Sequence, residues 1–177
     1  MLSDVDLLAR LERTETSVGE IVYPPGGRLG PAWQSSIELV LIHTGSVRVS
    51  VGDEPTLMIP AGWLALRVPH RVERYAFDDA VSTHHTWVKL RIEEWPTPML
   101  DRVGALVPML PISNAMADVV AAAVSEARTP LSTVDPLLAA LAAAAIWRYV
   151  GEAESSVRGS DDAVALAQRF LHTHLDG

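Results

Sequence analysis

In the first hundred residues apolar side chains recur at every second position, and beyond that point they recur at helical spacing. Val47, Val49 and Val51 alternate with Ser46, Arg48 and Ser50, as a half-buried strand requires. The pattern predicts strands at Val18–Tyr23, Ile37–His43, Ser46–Val51, Thr56–Ile59, Leu64–Val68, Val72–Phe77 and His84–Ile92. Between them lie Pro24-Pro25-Gly26-Gly27, Thr44-Gly45, Gly52-Asp53, Pro60-Ala61-Gly62, Pro69 and Asp78-Asp79, of which Thr44-Gly45 signals a hairpin. Short strands at such close spacing build a sandwich or a small barrel.

After Trp95-Pro96-Thr97-Pro98 the period changes. Ala115–Ala127 places Met116, Val119, Val120, Ala123 and Val124 on one helical face, and Pro136–Val150 does the same for Leu138, Leu141, Ala145 and Tyr149. A third helix is predicted at Asp161–Leu175, with acidic residues at its start and His172 and His174 at its end, where the helix dipole favours them. The small, polar stretch from Gly151 to Ser160 reads as a linker. A short amphipathic helix, Ser3–Thr14, opens the chain with Leu7, Leu8 and Leu11 on one side. The fold class is therefore α+β, and four units are expected: residues 1–98, a barrel with an N-terminal arm; 99–151, a helical segment; 152–160, a linker; and 161–177, a last helix.

Composition narrows the function. At 177 residues and 49% apolar content the chain can bury one core. It has no cysteine, which excludes thiolate metal sites and suits a reducing cytoplasm. Its longest apolar run, Leu137–Trp147, is too short to cross a bilayer, so no membrane partner is expected. The net charge is −8, divided equally between residues 1–100 and 101–177, and Lys89 is the only lysine. DNA binding depends on cationic side chains displacing phosphate counterions, so this chain is a poor DNA binder by itself.

Three patches, in order, resemble the sensor domains of AraC-type transcription regulators, which are cupin barrels (double-stranded β-helices). They are Ile37-Glu38-Leu39-Val40-Leu41-Ile42-His43-Thr44-Gly45-Ser46-Val47, then Ile59-Pro60-Ala61-Gly62-Trp63 with Val68-Pro69-His70, then His84-His85-Thr86-Trp87-Val88-Lys89-Leu90. Ala61-Gly62-Trp63 departs from that family's usual glycine-aspartate turn. The segment from Ala163 to Leu175 resembles the helix that opens the family's DNA-binding domain. The resemblance implies an effector-sensing, dimerising domain of a regulator. It would bind a small organic effector, form a homodimer, and reach DNA only through a domain missing from this chain.

The same resemblance supplies the candidate site. His85 and Trp87 share a strand face, and in sugar-sensing members the matching pair lines the ligand pocket. Trp87 offers a stacking face and His85 a hydrogen-bonding nitrogen. Arg28 stands near a ligand-binding arginine of those members, displaced by about two residues in spacing. Glu38 and His70 match two of the metal ligands of cupin enzymes. The histidine pair of the first enzyme motif is replaced by Pro31-Ala32-Trp33-Gln34-Ser35-Ser36-Ile37, and two ligands do not make a stable site. Glu38 could equally face outward or pair with Arg48, and His70 could be structural. Val72 falls where the sugar sensors carry a pocket tyrosine. No catalytic residue, metal or cofactor is expected, and the chain reads as a non-enzyme; the rival reading is a free-standing cupin isomerase or dioxygenase. Helix Pro136–Val150 is apolar nearly all round, so either a second copy of the chain covers Leu138, Leu141, Ala145 and Tyr149, or helix Ala115–Ala127 does so within one chain.

Overall fold

The structure is a computed structural model that describes the backbone of residues 15–91, 97–128 and 136–175, and their side chains as far as Ser156, Met99 apart. The expected helix Ser3–Thr14 lies outside the described residues. Among the described residues nine strands and three helices follow in order: β1 (Glu15–Tyr23), β2 (Arg28–Gln34), β3 (Ile37–Thr44), β4 (Ser46–Val51), β5 (Leu57–Pro60), β6 (Trp63–Arg67), β7 (Arg71–Phe77), β8 (Thr83–Arg91), α1 (Thr97–Gly104), β9 (Met109–Pro111), α2 (Asn114–Ala127) and α3 (Pro136–Leu175).

The strands form two antiparallel sheets, one ordered β1-β8-β3-β6-β9 and the other β2-β7-β4-β5. The hairpin β3–β4 turns at Gly45, whose φ of +69° is a left-handed value that glycine adopts without steric cost. Two apolar clusters divide the interior. Ile37, Leu39 and Leu41 on β3, with Val88 and Leu90 on β8, pack against Met116, Val120, Ala142, Ala145, Ile146 and Tyr149 of α2 and α3. Val40 and Ile42 point the other way, into the space between the sheets, where they meet Val47, Val49, Ile59 and Phe77. β3 and β8 are therefore covered on both faces, which is why β3 reads as an almost unbroken apolar run rather than a clean alternation.

Two expectations for the last helix are corrected. The stretch expected to be a linker is helical, so that α3 runs from Pro136 to Leu175 without a break. No proline follows Pro136, and Glu152 joins Arg148 one turn back at 2.8 Å. Ala153 is buried in the core, and Gly151 costs a helix interior only about 1 kcal/mol relative to alanine. The second difference concerns the proposed dimer seam. Ala145 and Tyr149 are fully buried within the chain, and the Tyr149 hydroxyl donates to the Val107 carbonyl at 2.5 Å. Helix α2 and the sheet already cover that side of α3, so these two residues cannot meet a second copy. Leu138 and Leu141 are half-buried.

Candidate functional site

Between the sheets, one end of the barrel is filled by the Val40–Phe77 cluster and the other holds a cavity of about 220 Å³. Its walls include His85, Trp87 and Lys89 from β8, Glu38 from β3, Glu73 and Tyr75 from β7, and Trp33 and Gln34 from β2. The alternation of β8 explains its wall: Thr86, Val88 and Leu90 go beneath the helices, so His85, Trp87 and Lys89 face inward.

His85 is buried, and its ring lies parallel to those of Tyr23 and Phe77, each 5.7 Å away between centroids. Its Nδ1 has no hydrogen-bond partner. Burial, with added repulsion from His84 and Lys89, pulls the imidazole down to about 4, so His85 is neutral near pH 7. Trp87 runs opposite Gly19 in the β1–β8 register and lies across it; a Cβ on Gly19 would stand 2.5 Å from the indole. The indole N–H donates to Ser17 Oγ at 3.2 Å, which fixes the ring plane at the cavity wall.

Two charged networks complete the lining. Gln34 donates to Glu38 Oε2 at 2.6 Å, and Lys89 Nζ stands 3.4 Å from Glu38 Oε1. Burial raises the Glu38 carboxyl above its usual range, against the pull of Lys89 and Gln34. From β6, beside Glu38 in the same sheet, Arg67 reaches across to the facing sheet and donates through Nε (3.0 Å) and Nη2 (2.5 Å) to Glu73 Oε1, while the Tyr75 hydroxyl donates to Glu73 Oε2. The Arg67–Glu73 pair is almost fully buried, and each charge there has a partner, as burial of ions requires.

Two expected site residues stand elsewhere. Arg28 is exposed, 4.0 Å from Asp79, at the start of β2. His70 is exposed in the β6–β7 turn with a left-handed φ of +68°, its amide donating to the Gln34 carbonyl. The Pro69-His70 pair makes a turn, and histidine is one of the residues that tolerate this conformation. Glu38 and His70 therefore do not form the pair that a cupin enzyme's metal would use. Val72 points outward and is 43% exposed; the hydroxyl on that strand comes from Tyr75 instead. Arg48 pairs with Asp79, not with Glu38. Glu73, Tyr75 and Gln34 were not anticipated. The signal for the first two was present, because Phe77 must point into the core and Glu73 and Tyr75 share its face.

No family model matches the sequence, and no curated protein does. Among solved structures the barrel aligns with a cupin superfamily protein from Desulfitobacterium hafniense at 12% identity, over 43% of this chain and 67% of that one, with a TM-score of 0.39. A mutant of the Bacillus subtilis oxalate decarboxylase aligns at 15% identity, over 47% of this chain and 23% of that one, with a TM-score of 0.38. The polyketide cyclase of Streptomyces resistomycificus aligns at 11% identity, over 50% of this chain and 68% of that one, also at 0.38. Two of these neighbours are named as enzymes, a finding that stands against the expectation of a non-enzyme. At these scores the likeness carries nothing beyond shape, and it agrees with what the strand order displays, a cupin-like β fold followed by helices.

Proposed function

We propose that the barrel cavity binds a small, uncharged organic molecule and that the chain is the effector-sensing part of an AraC-type transcription regulator. The observation that carries the binding half is the orphaned Nδ1 of a buried histidine in a cavity wall beside a fixed tryptophan face. An unpaired buried polar atom costs about 1–3 kcal/mol, a cost that a ligand hydrogen bond would relieve. The charges around the cavity are already paired, Glu38 with Lys89 and Arg67 with Glu73, which disfavours a strongly charged guest. The volume, below the roughly 300 Å³ typical of drug-sized pockets, favours a compact one. The regulator half is supported by the three sequence patches and by the likeness of the Ala163–Leu175 sequence to the helix that opens that family's DNA-binding domain. DNA would then be read by a domain beyond this chain, with effector binding shifting the population of barrel and helix arrangements.

A thermal-shift screen of neutral aromatic and polyhydroxylated compounds tests the binding half. The expected result is a hit whose stabilisation is lost in Trp87→Ala and reduced in His85→Phe. A hit unaffected by both changes overturns the site. A catalytic reading of the same cavity has one observation in its favour, the raised Glu38 carboxyl beside Lys89, the kind of perturbed group that proton transfer uses. Product analysis on any hit separates the two readings: a bound molecule recovered unchanged supports sensing, and turnover abolished by Glu38→Gln supports catalysis.

Assembly belongs to the same proposal. Ala140, Ala144 and Trp147 lie on the outer side of α3, and small alanines permit the close approach of a second helix. A homodimer paired along this stripe fits the resemblance.

A further inference from the structure

Glu20, His43 and His84 come from three strands that are neighbours in one sheet, β1, β3 and β8, and one potential ligand atom from each lies within 4.8 Å of the others. We propose that these three side chains bind one divalent transition-metal ion of the zinc type, at a site separate from the barrel cavity. His84 Nε2 stands 3.8 Å from Glu20 Oε1, and the two imidazole rings are 4.8 Å apart between centroids. Two histidines and a carboxylate are a donor set suited to zinc, and at metal–ligand distances of about 2.0–2.1 Å tetrahedral ligand atoms stand roughly 3.3 Å apart. The existing spacing needs only small side-chain rotations to reach that value.

The backbone brings the set together by an irregularity. The β3–β8 register shifts between Ile42 and Thr44, leaving His43 as the extra residue. Such bulges re-aim side chains, and this one brings the His43 ring beside that of His84. On β8, His84 alternates with His85, so the cluster lies on the opposite face of the sheet from the cavity. Two of the three ligands are held by further partners. The Thr86 hydroxyl lies 2.7 Å from His43 Nε2, and Arg128, at the end of α2, donates to Glu20 Oε2 while Glu20 Oε1 faces His84. Partners of this kind orient ligating side chains. Beside the cluster a groove of about 610 Å³ runs between the sheet and α2, lined by His43, Thr86, Val120 and Arg128 among others. Three protein ligands leave a coordination position for water or for an exogenous donor from that groove.

Titration of the whole 177-residue chain with zinc chloride, followed by calorimetry and by the visible spectrum of the cobalt-substituted form, tests the site. One equivalent of metal is expected. His43→Ala and His84→Ala should each weaken binding at least ~10-fold, the lower bound set by losses of supporting groups alone, and Glu20→Gln should weaken it by a similar factor. Controls at His70→Ala and at the doubly substituted His172→Ala, His174→Ala should leave the affinity unchanged, as should Trp87→Ala, which keeps this test independent of the cavity. The three ligand residues are exposed or half-buried, and circular dichroism checks that each variant keeps its strands. Absence of binding by the wild-type chain overturns the proposal, and so does binding that survives all three ligand substitutions.

Discussion

Gly19 is small because the Trp87 indole occupies the space its side chain would fill. Gly19→Ala must push the ring away from Ser17 or bend β1, an overpacking that costs typically about 1–3 kcal/mol. We expect a lower urea midpoint, a changed near-ultraviolet dichroism spectrum and loss of the ligand-induced thermal shift. A variant with wild-type values in all three would show that Trp87 has room to move. His85 carries a second expectation. Its folded value of about 4 lies below the ordinary 6.5, so between these limits the unfolded chain takes up a proton that the folded chain refuses. The stability supplied by a neutral, buried His85 is therefore complete above pH 6.5 and is lost as pH falls towards 4, with a slope of at most about 1.4 kcal/mol per pH unit. Glu38 acts in the opposite sense: its carboxyl is raised above 4.5, so its contribution falls as pH rises through the folded value. The difference between wild-type and His85→Gln denaturation curves, measured from pH 4 to 7, isolates the histidine. A difference that does not vary with pH would remove His85 as the responsible group.

Helix α3 shows how an element can be correct in pattern and wrong in partner. Its spacing of Leu138, Leu141, Ala145 and Tyr149 was legible as an apolar stripe, but periodicity does not say whether the cover comes from the same chain. The Tyr149 hydroxyl answers for its own end of the helix, since it is bonded inside the fold. Tyr149→Phe leaves the Val107 carbonyl without that donor and should cost about 1–3 kcal/mol in chemical denaturation, with no effect on oligomeric state. Trp147→Glu places a charge on the outer stripe instead; light scattering at micromolar concentration should show a dimer for the wild type and a monomer for the variant. A monomeric wild type would remove the pairing proposal. Seven strands were legible because turn residues punctuate an alternating pattern. β2 was not, since Gly30 and Pro31 interrupt it and its register with β7 shifts between Leu29 and Ala32. β9 has three residues and α1 eight, too short for a period to register. In the cavity, His85, Trp87 and Glu38 were legible from face and resemblance. The partners of Glu38 were not, because pairing across strands depends on a register that no local pattern encodes.

At the scale of the molecule, the uniform negative charge leads to the plainest expectation: this chain alone forms no sequence-specific complex with DNA in a gel shift at physiological salt. A salt-sensitive, sequence-specific band would refute it. The two sheets that enclose the cavity differ in what lies behind them. The wall made by β3 and β8 has helices on its far side, so Val88 and Leu90 are buried while their strand neighbours face the cavity. Among the described residues nothing covers the back or rim of the wall made by β2 and β7: Leu29, Trp33 and Val72 are all substantially exposed. An engineer who wished to change which molecule the barrel accepts would find the first wall unforgiving, since each exchange there disturbs a strand that also supports the helices. Random libraries directed at Leu29, Ala32 and Trp33 would keep a larger fraction of folded members, and they give the barrel a route by which guest preference can drift while its scaffold stays fixed.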